Sequence, residues 1–181
     1  SEADPLDPAV FTDNDGKSYL VWGADCNRSP DEKHYPRIRQ LSDDMLSFTG
    51  EETVIEAPYF FEDAGINRIG DKYYFSYCSD WNERSGSYKD LSKCSIAYMV
   101  ADSPMGPYTY VGEVLPNCGN VFKDDKGEGV WANNHHSITQ FQNEYYMFYH
   151  TMTLKTEMGI QFGGRSTHVN KLQVNADGTL G

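Results

Sequence analysis

One hairpin pattern recurs three times along the chain, and each copy begins with a different chemically active side chain. The second strands read Asp15-Gly16-Lys17-Ser18-Tyr19-Leu20-Val21-Trp22, Gly70-Asp71-Lys72-Tyr73-Tyr74-Phe75-Ser76-Tyr77 and Gln142-Asn143-Glu144-Tyr145-Tyr146-Met147-Phe148-Tyr149. Each is a polar turn running into a β-branched or aromatic stretch, which is hairpin chemistry. The first strands open at Asp7-Pro8-Ala9-Val10-Phe11, at Glu56-Ala57-Pro58-Tyr59-Phe60 and at Asn134-His135-His136-Ser137-Ile138. A repeated small antiparallel sheet predicts an all-β fold, a β-propeller whose blades surround a central channel. Equivalent positions then converge on one axis. Two carboxylates and a histidine, Asp7, Glu56 and His135, make a candidate active site there.

At 181 residues the chain is long enough for one ordinary domain with a real core. Its 13 Tyr and 9 Phe, with 16 Gly and 8 Pro spread through the sequence, favour strands and turns over helices. No window shows sustained helical periodicity, and no apolar run approaches membrane-spanning length. A net charge of −12 argues against nucleic acid as a partner, since phosphate binding needs a basic surface, and serves solubility. Ser1-Glu2-Ala3-Asp4 has neither a basic n-region nor an apolar h-region, which leaves the compartment open, with a secreted or periplasmic setting preferred to the cytoplasm. Cys26, Cys78, Cys94 and Cys118 stand far apart without CxxC spacing, so free buried thiols are expected rather than a zinc cluster.

Three blade-sized segments are expected, about 6–53, 54–114 and 115–181. The first is a hairpin, a polar excursion from Asp25 to Pro36, a third strand at Arg37–Leu41 and a turn at Asp43–Ser47 leading to an outer edge. The second adds to its hairpin a loop from Asp80 to Lys93, a strand over Cys94–Ala101, a turn at Asp102–Pro107 and an outer strand at Tyr108–Gly112. In the third, a loop from Leu154 to Gly164 precedes a strand over Arg165–Val174 and a turn at Asn175–Thr179, and the chain stops where a fourth strand would form.

Four blocks, in order, carry a family resemblance. Leu6-Asp7-Pro8-Ala9-Val10-Phe11 with Asp15-Gly16-Lys17, Glu56-Ala57-Pro58 with Tyr73–Tyr77, Asn133-Asn134-His135-His136-Ser137-Ile138 with Tyr149-His150, and Gly164-Arg165-Ser166-Thr167-His168-Val169-Asn170-Lys171-Leu172 together resemble family 43 glycoside hydrolases. The resemblance covers nearly the whole chain. It implies a five-bladed propeller, of which about three four-stranded blades are present, and inverting hydrolysis of arabinose- and xylose-containing polysaccharides. It implies that Glu56 is the general acid and that Asp7 tunes and orients it. His135, or the adjacent His136, would lie near an axial metal, often calcium, and no organic cofactor is expected. The family's third carboxylate, the general base, lies well before the Asp-Pro block. Asp4-Pro5 is too close to Asp7 to stand in another blade, so the resemblance implies a first blade outside this chain.

Inverting hydrolysis needs an acid to protonate the leaving oxygen and a carboxylate to activate water, about 6.5–9.5 Å apart. A nearby anion such as Asp7 keeps Glu56 protonated, since two close carboxylates resist joint ionisation. The base must come from elsewhere. Asp80 is one candidate, and a neighbouring protomer in a homo-oligomer covering the open propeller is another. Arg165 is placed on sugar hydroxyls or on a carboxylate, and Trp81 on a sugar face; Trp131 has the same choice between stacking and core packing. Trp22, His150 and His168 are read as structural. The expected partners are arabinoxylan and xylo-oligosaccharides, with no nucleic acid and no membrane. A non-catalytic sugar-binding propeller is the rival reading, and a purely structural assembly module the third.

Overall fold

The computed structural model describes residues 5–24, 35–160 and 164–181. Eleven strands, with two short helices and one 3-10 turn at Gly86–Tyr88, form three sheets among these residues. The first sheet has the order β1 (Pro5–Thr12), β2 (Ser18–Ala24), β3 (Arg37–Leu41), β4 (Phe48–Val54). The second runs β5 (Phe60–Ile69), β6 (Lys72–Ser79), β7 (Ile96–Ala101), β8 (Thr109–Leu115). The third is β9 (His136–Phe141), β10 (Glu144–Thr151), β11 (Ser166–Leu172), with β10 in the centre. The all-β expectation therefore holds, and sequence neighbours pair throughout. The third sheet has three strands, the hairpin and the third strand expected of that segment.

The turns explain why these hairpins form where they do. Gly70 and Asp71 alone join Ile69 to Lys72, with Gly70 at φ 64°, a conformation glycine adopts without a Cβ penalty. Gln142 and Asn143 join Phe141 to Glu144 with φ of 50° and 63°, the two positive values of a type I′ turn. A third design appears three times. At Asp13–Lys17, Asp124–Glu128 and Asn175–Thr179 the first amide donates to the fifth carbonyl, the fourth amide returns to the first carbonyl, and the fourth residue is a glycine at φ 80–84°.

The chain divides into two compact units. The first runs to Asp80 and resumes over Tyr98–Gly112; the second comprises Trp81–Ala97 and Glu113–Gly181. In the first, β6 is buried along almost its whole length, as a strand covered on both faces must be. Phe75 and Tyr77 are fully buried and stack at 5.5 Å, Phe60 meets Tyr77 at 5.7 Å, and Tyr108 closes on Phe75 at 5.8 Å. Such pairs add about 0.5–1.5 kcal/mol each beyond their burial. In the second unit the core gathers Leu91, Cys94, Ile96, Ile138, Met147 and Leu172. The buried Asn117 amide there donates to the carbonyls of Cys94 and Ala132 at 2.8 and 2.6 Å.

Two expectations change. The segment read as a loop from Leu154 holds a helix, α2, over Thr153–Met158, after α1 at Cys118–Val121. Gly159, at φ 65°, ends α2 with its amide on the carbonyls of Lys155 and Thr156. Second, the three potent residues do not open their strands in the same way. Asp7 is the third residue of β1, Glu56 lies four residues before β5, and His135 immediately precedes β9. Cys78, Cys94 and Cys118 are buried as expected, while Asp4, Cys26 and most of the Asp25–Pro36 excursion lie outside the described residues.

Candidate active site

Asp7 sits in a bulge. The β1–β2 register shifts between Leu6 and Ala9, and Asp7 takes φ 47°. A bulge re-aims a side chain out of the regular alternation of a strand. Here the half-buried Asp7 carboxylate crosses to β5, where Oδ2 accepts the Asp63 amide at 3.1 Å. Asp63 is itself in left-handed backbone, φ 64°, inside the β5 irregularity between Glu62 and Gly65. The two irregularities therefore serve one contact.

Glu56 is the central residue of a γ-turn, because the Ala57 amide donates to the Ile55 carbonyl at 2.7 Å. Ile55 is 2% and Ala57 0% exposed, so the buried flanks present the glutamate between them to solvent. The segment is anchored at both ends. The Ile55 amide donates to the Pro36 carbonyl at 2.9 Å, and the Tyr77 hydroxyl donates to the Pro58 carbonyl at 2.7 Å. Tyr77, from the centre of the first unit's core, thus ties down the segment that follows Glu56, although sequence pattern marks it only as another buried aromatic. Asp80, read as a reserve base, follows β6, and its amide donates to the Tyr59 carbonyl at 2.7 Å.

Asp13 is a functional-looking carboxylate that is not among the sequence candidates. It is buried, and it accepts the Tyr73 hydroxyl at 2.5 Å, Arg68 Nη1 at 2.7 Å and the Asn14 amide at 2.7 Å. Burial pushes its pKa up, but these three donors outweigh burial and hold it below the ordinary carboxylate value. With every donor supplied by the fold, its work is structural.

His135, Arg165 and Trp81 belong to the second unit. His135 is half-buried, with its ring 5.9 Å from that of His150, while His136 begins β9 opposite Tyr149. Asn134, between Asn133 and the histidines, is buried and borders a cavity of about 120 Å³ lined also by Leu115, Pro116, Cys118, His150 and Thr151. Burial raises the Cys118 thiol pKa. Arg165 is exposed, and its Nη2 donates to Asn133 Oδ1 at 3.0 Å, which joins the last of the four sequence blocks to the histidine block. Trp81 meets Trp131 edge to face at 6.2 Å. His168 Nε2 is 2.9 Å from Thr151 Oγ1 and its ring stacks on Tyr149 at 5.4 Å. Trp22 packs on Phe48 at 5.9 Å.

Comparison with known proteins shows the family. Residues 1–180 match the family described as glycosyl hydrolases family 43, and the chain belongs to that family. It is 40% identical over 182 residues to an arabinoxylan arabinofuranohydrolase of Paenibacillus polymyxa, covering 97% of this chain and 27% of that protein. The crystal structure of the Bacillus subtilis family 43 arabinoxylan arabinofuranohydrolase in complex with cellotetraose superposes with TM-score 0.81 at 39% identity, over 96% of this chain and 36% of that one. An α-L-arabinofuranosidase from Clostridium thermocellum ATCC 27405 gives TM-score 0.68 at 31% identity, over 97% of this chain and 51% of that one. The chain thus spans about a quarter to a half of the length of these relatives.

Proposed function

We propose that the chain carries the acid half of an inverting glycosidase acting on arabinose- and xylose-containing hemicellulose, of α-L-arabinofuranosidase or β-xylosidase type. The γ-turn that holds Glu56 out between two buried residues carries this reading. Glu56 donates its proton to the glycosidic oxygen as the bond to the anomeric carbon breaks. Asp7 helps to orient the acid. The base that takes a proton from the attacking water comes from a second copy of the chain, and the new anomeric hydroxyl forms on the opposite face. Arg165 donates to sugar hydroxyls from its place on Asn133, and Trp81 stacks on a sugar ring. The three sheets are read as blades, spanning about 6–53, 54–114 and 115–181, of a family propeller that has five.

A calcium ion at the propeller axis is part of this reading, with His135, or His136, facing it. An imidazole is a poor direct ligand for an oxygen-seeking cation, so the half-buried His135 fits such a site through water. When bound, the ion would supply positive charge beneath the sugar.

The test is release of nitrophenol from aryl α-L-arabinofuranoside and aryl β-D-xyloside, with Glu56→Gln as control and each assay repeated in EGTA. Release that disappears in Glu56→Gln is expected, and the substrate cleaved faster fixes the type. Release equal in wild type and Glu56→Gln would remove Glu56 from the mechanism, and none from either would leave a sugar-binding module. A rate untouched by EGTA would remove calcium.

A further inference from the structure

We infer that Trp131, with Trp81 as its side wall, is a preformed stacking platform for the pyranose backbone of an uncharged polysaccharide, in the first instance xylan. This rests on the glycosidase reading above and adds to it a polymer-binding surface in the second unit.

The platform is built by two glycines. A Cβ on Gly119 would stand 2.2 Å from Trp131 Cδ2, and one on Gly129 would stand 2.4 Å from Trp131 Nε1. Only a residue without a side chain leaves room at either place, so one face of the indole lies directly on backbone. The residue is nevertheless 49% exposed. Trp81, 41% exposed, stands against it at 64° between ring planes and makes a corner of the two indoles.

The corner is held before any ligand arrives. Lys123 and Gly129 pair across the Asp124–Glu128 turn, and the Val130 amide donates to the Phe122 carbonyl at 3.1 Å. The Trp131 amide donates to Gly129, and the next carbonyl, Ala132, accepts the Asn117 side chain at 2.6 Å. The same Asn117 side chain accepts the Gly119 amide at 3.0 Å. One buried asparagine therefore fixes the bed and the residue after the tryptophan together. A tryptophan used only as core filler would not be left half exposed.

The occupant follows from chemistry. An indole face suits a flat ring whose axial C–H bonds are apolar and whose hydroxyls point outward to water. A net charge of −12 disfavours anionic polymers and anionic membranes but does not penalise a neutral glycan. Asn133, two residues beyond Trp131 and bonded to Arg165, offers polar groups beside the aromatic surface.

Native electrophoresis through gels cast with soluble arabinoxylan tests this without requiring turnover. The wild-type chain should be retarded, Trp131→Ala should lose about tenfold in apparent affinity, and Trp131→Phe should recover most of it, because a rigid buried-edge aromatic carries such contacts. Trp81→Ala, whose indole lies on no glycine bed, should weaken binding with the fold intact by circular dichroism. Retardation unchanged in Trp131→Ala and Trp81→Ala, or a wild-type chain that is not retarded, overturns the platform. Failure of the catalytic reading looks different: retardation survives, and no nitrophenol is released.

Discussion

Asp13 closes the first hairpin turn and, through the same carboxylate, binds that turn to β5 and β6. Its partners Arg68 and Tyr73 lie 55 and 60 residues away, so the bonds hold one sheet against the next. Arg68 also lies over the Tyr73 ring at 5.5 Å, and Phe11 meets that ring edge-on at 5.9 Å. Asparagine keeps one acceptor oxygen but puts an NH2 in place of the other, so one buried donor loses its acceptor, at a cost of about 2 kcal/mol. Asp13→Asn should therefore lower the urea midpoint at pH 7. The pH dependence has a definite sign, because the folded pKa lies below the unfolded one. Stabilisation by Asp13 is complete above the unfolded value of about 3.9 and is lost as pH falls through the lower folded value. The gap between wild type and Asp13→Asn should be constant from pH 7 to 5 and close below pH 4 in urea titrations. A gap that persists at pH 2 would mean that packing, not charge, is what the substitution removes.

At the scale of elements, the hairpins were legible because their turns are written in residue types: Asp-Gly and Gly-Asp announce themselves. Gln142-Asn143 is the exception, a type I′ turn with a poor first residue. Both residues hold positive φ, which costs a side chain other than Gly or Asn roughly 1 kcal/mol. Replacing the pair by Gln142→Asn with Asn143→Gly should raise stability by about 1 kcal/mol, read as a higher urea midpoint with an unchanged slope. A lower midpoint would show that Gln142 makes contacts worth more than the strain. Helix α2 escaped the sequence because six residues are too few to show a period, and only Gly159 marks its end. The candidate site was legible in part for a related reason. Residue types and order picked out Asp7, Glu56 and His135. The bulge under Asp7 and the γ-turn under Glu56 are backbone conformations that no period-two pattern encodes. Nor does composition distinguish Trp131 on its glycine bed from any other aromatic, although Gly119 and Gly129 stand in the sequence as the signal.

For the molecule as a whole, two opposed features govern association. Edge strands carry exposed apolar side chains, Val10 on β1 and Phe48 and Val54 on β4 in the first unit, Phe141 on β9 and Val169 on β11 in the second. Unpaired edges with apolar side chains favour pairing with another chain. Against this, every copy carries a net charge of −12, so two copies repel. Salt weakens the repulsion and leaves the apolar attraction, since the screening length falls from about 30 Å at 0.01 M to about 3 Å at 1 M. If a second copy supplies the base, association and turnover must rise together. Sedimentation velocity should show the oligomer growing with both protein concentration and sodium chloride. Specific activity on the aryl glycoside should follow the oligomer fraction, rising in proportion to protein concentration well below the dissociation constant and levelling above it. A specific activity that stays flat while the sedimentation coefficient climbs would place the base within one copy and direct attention to Asp80, whose amide is tied to Tyr59 three residues after the acid.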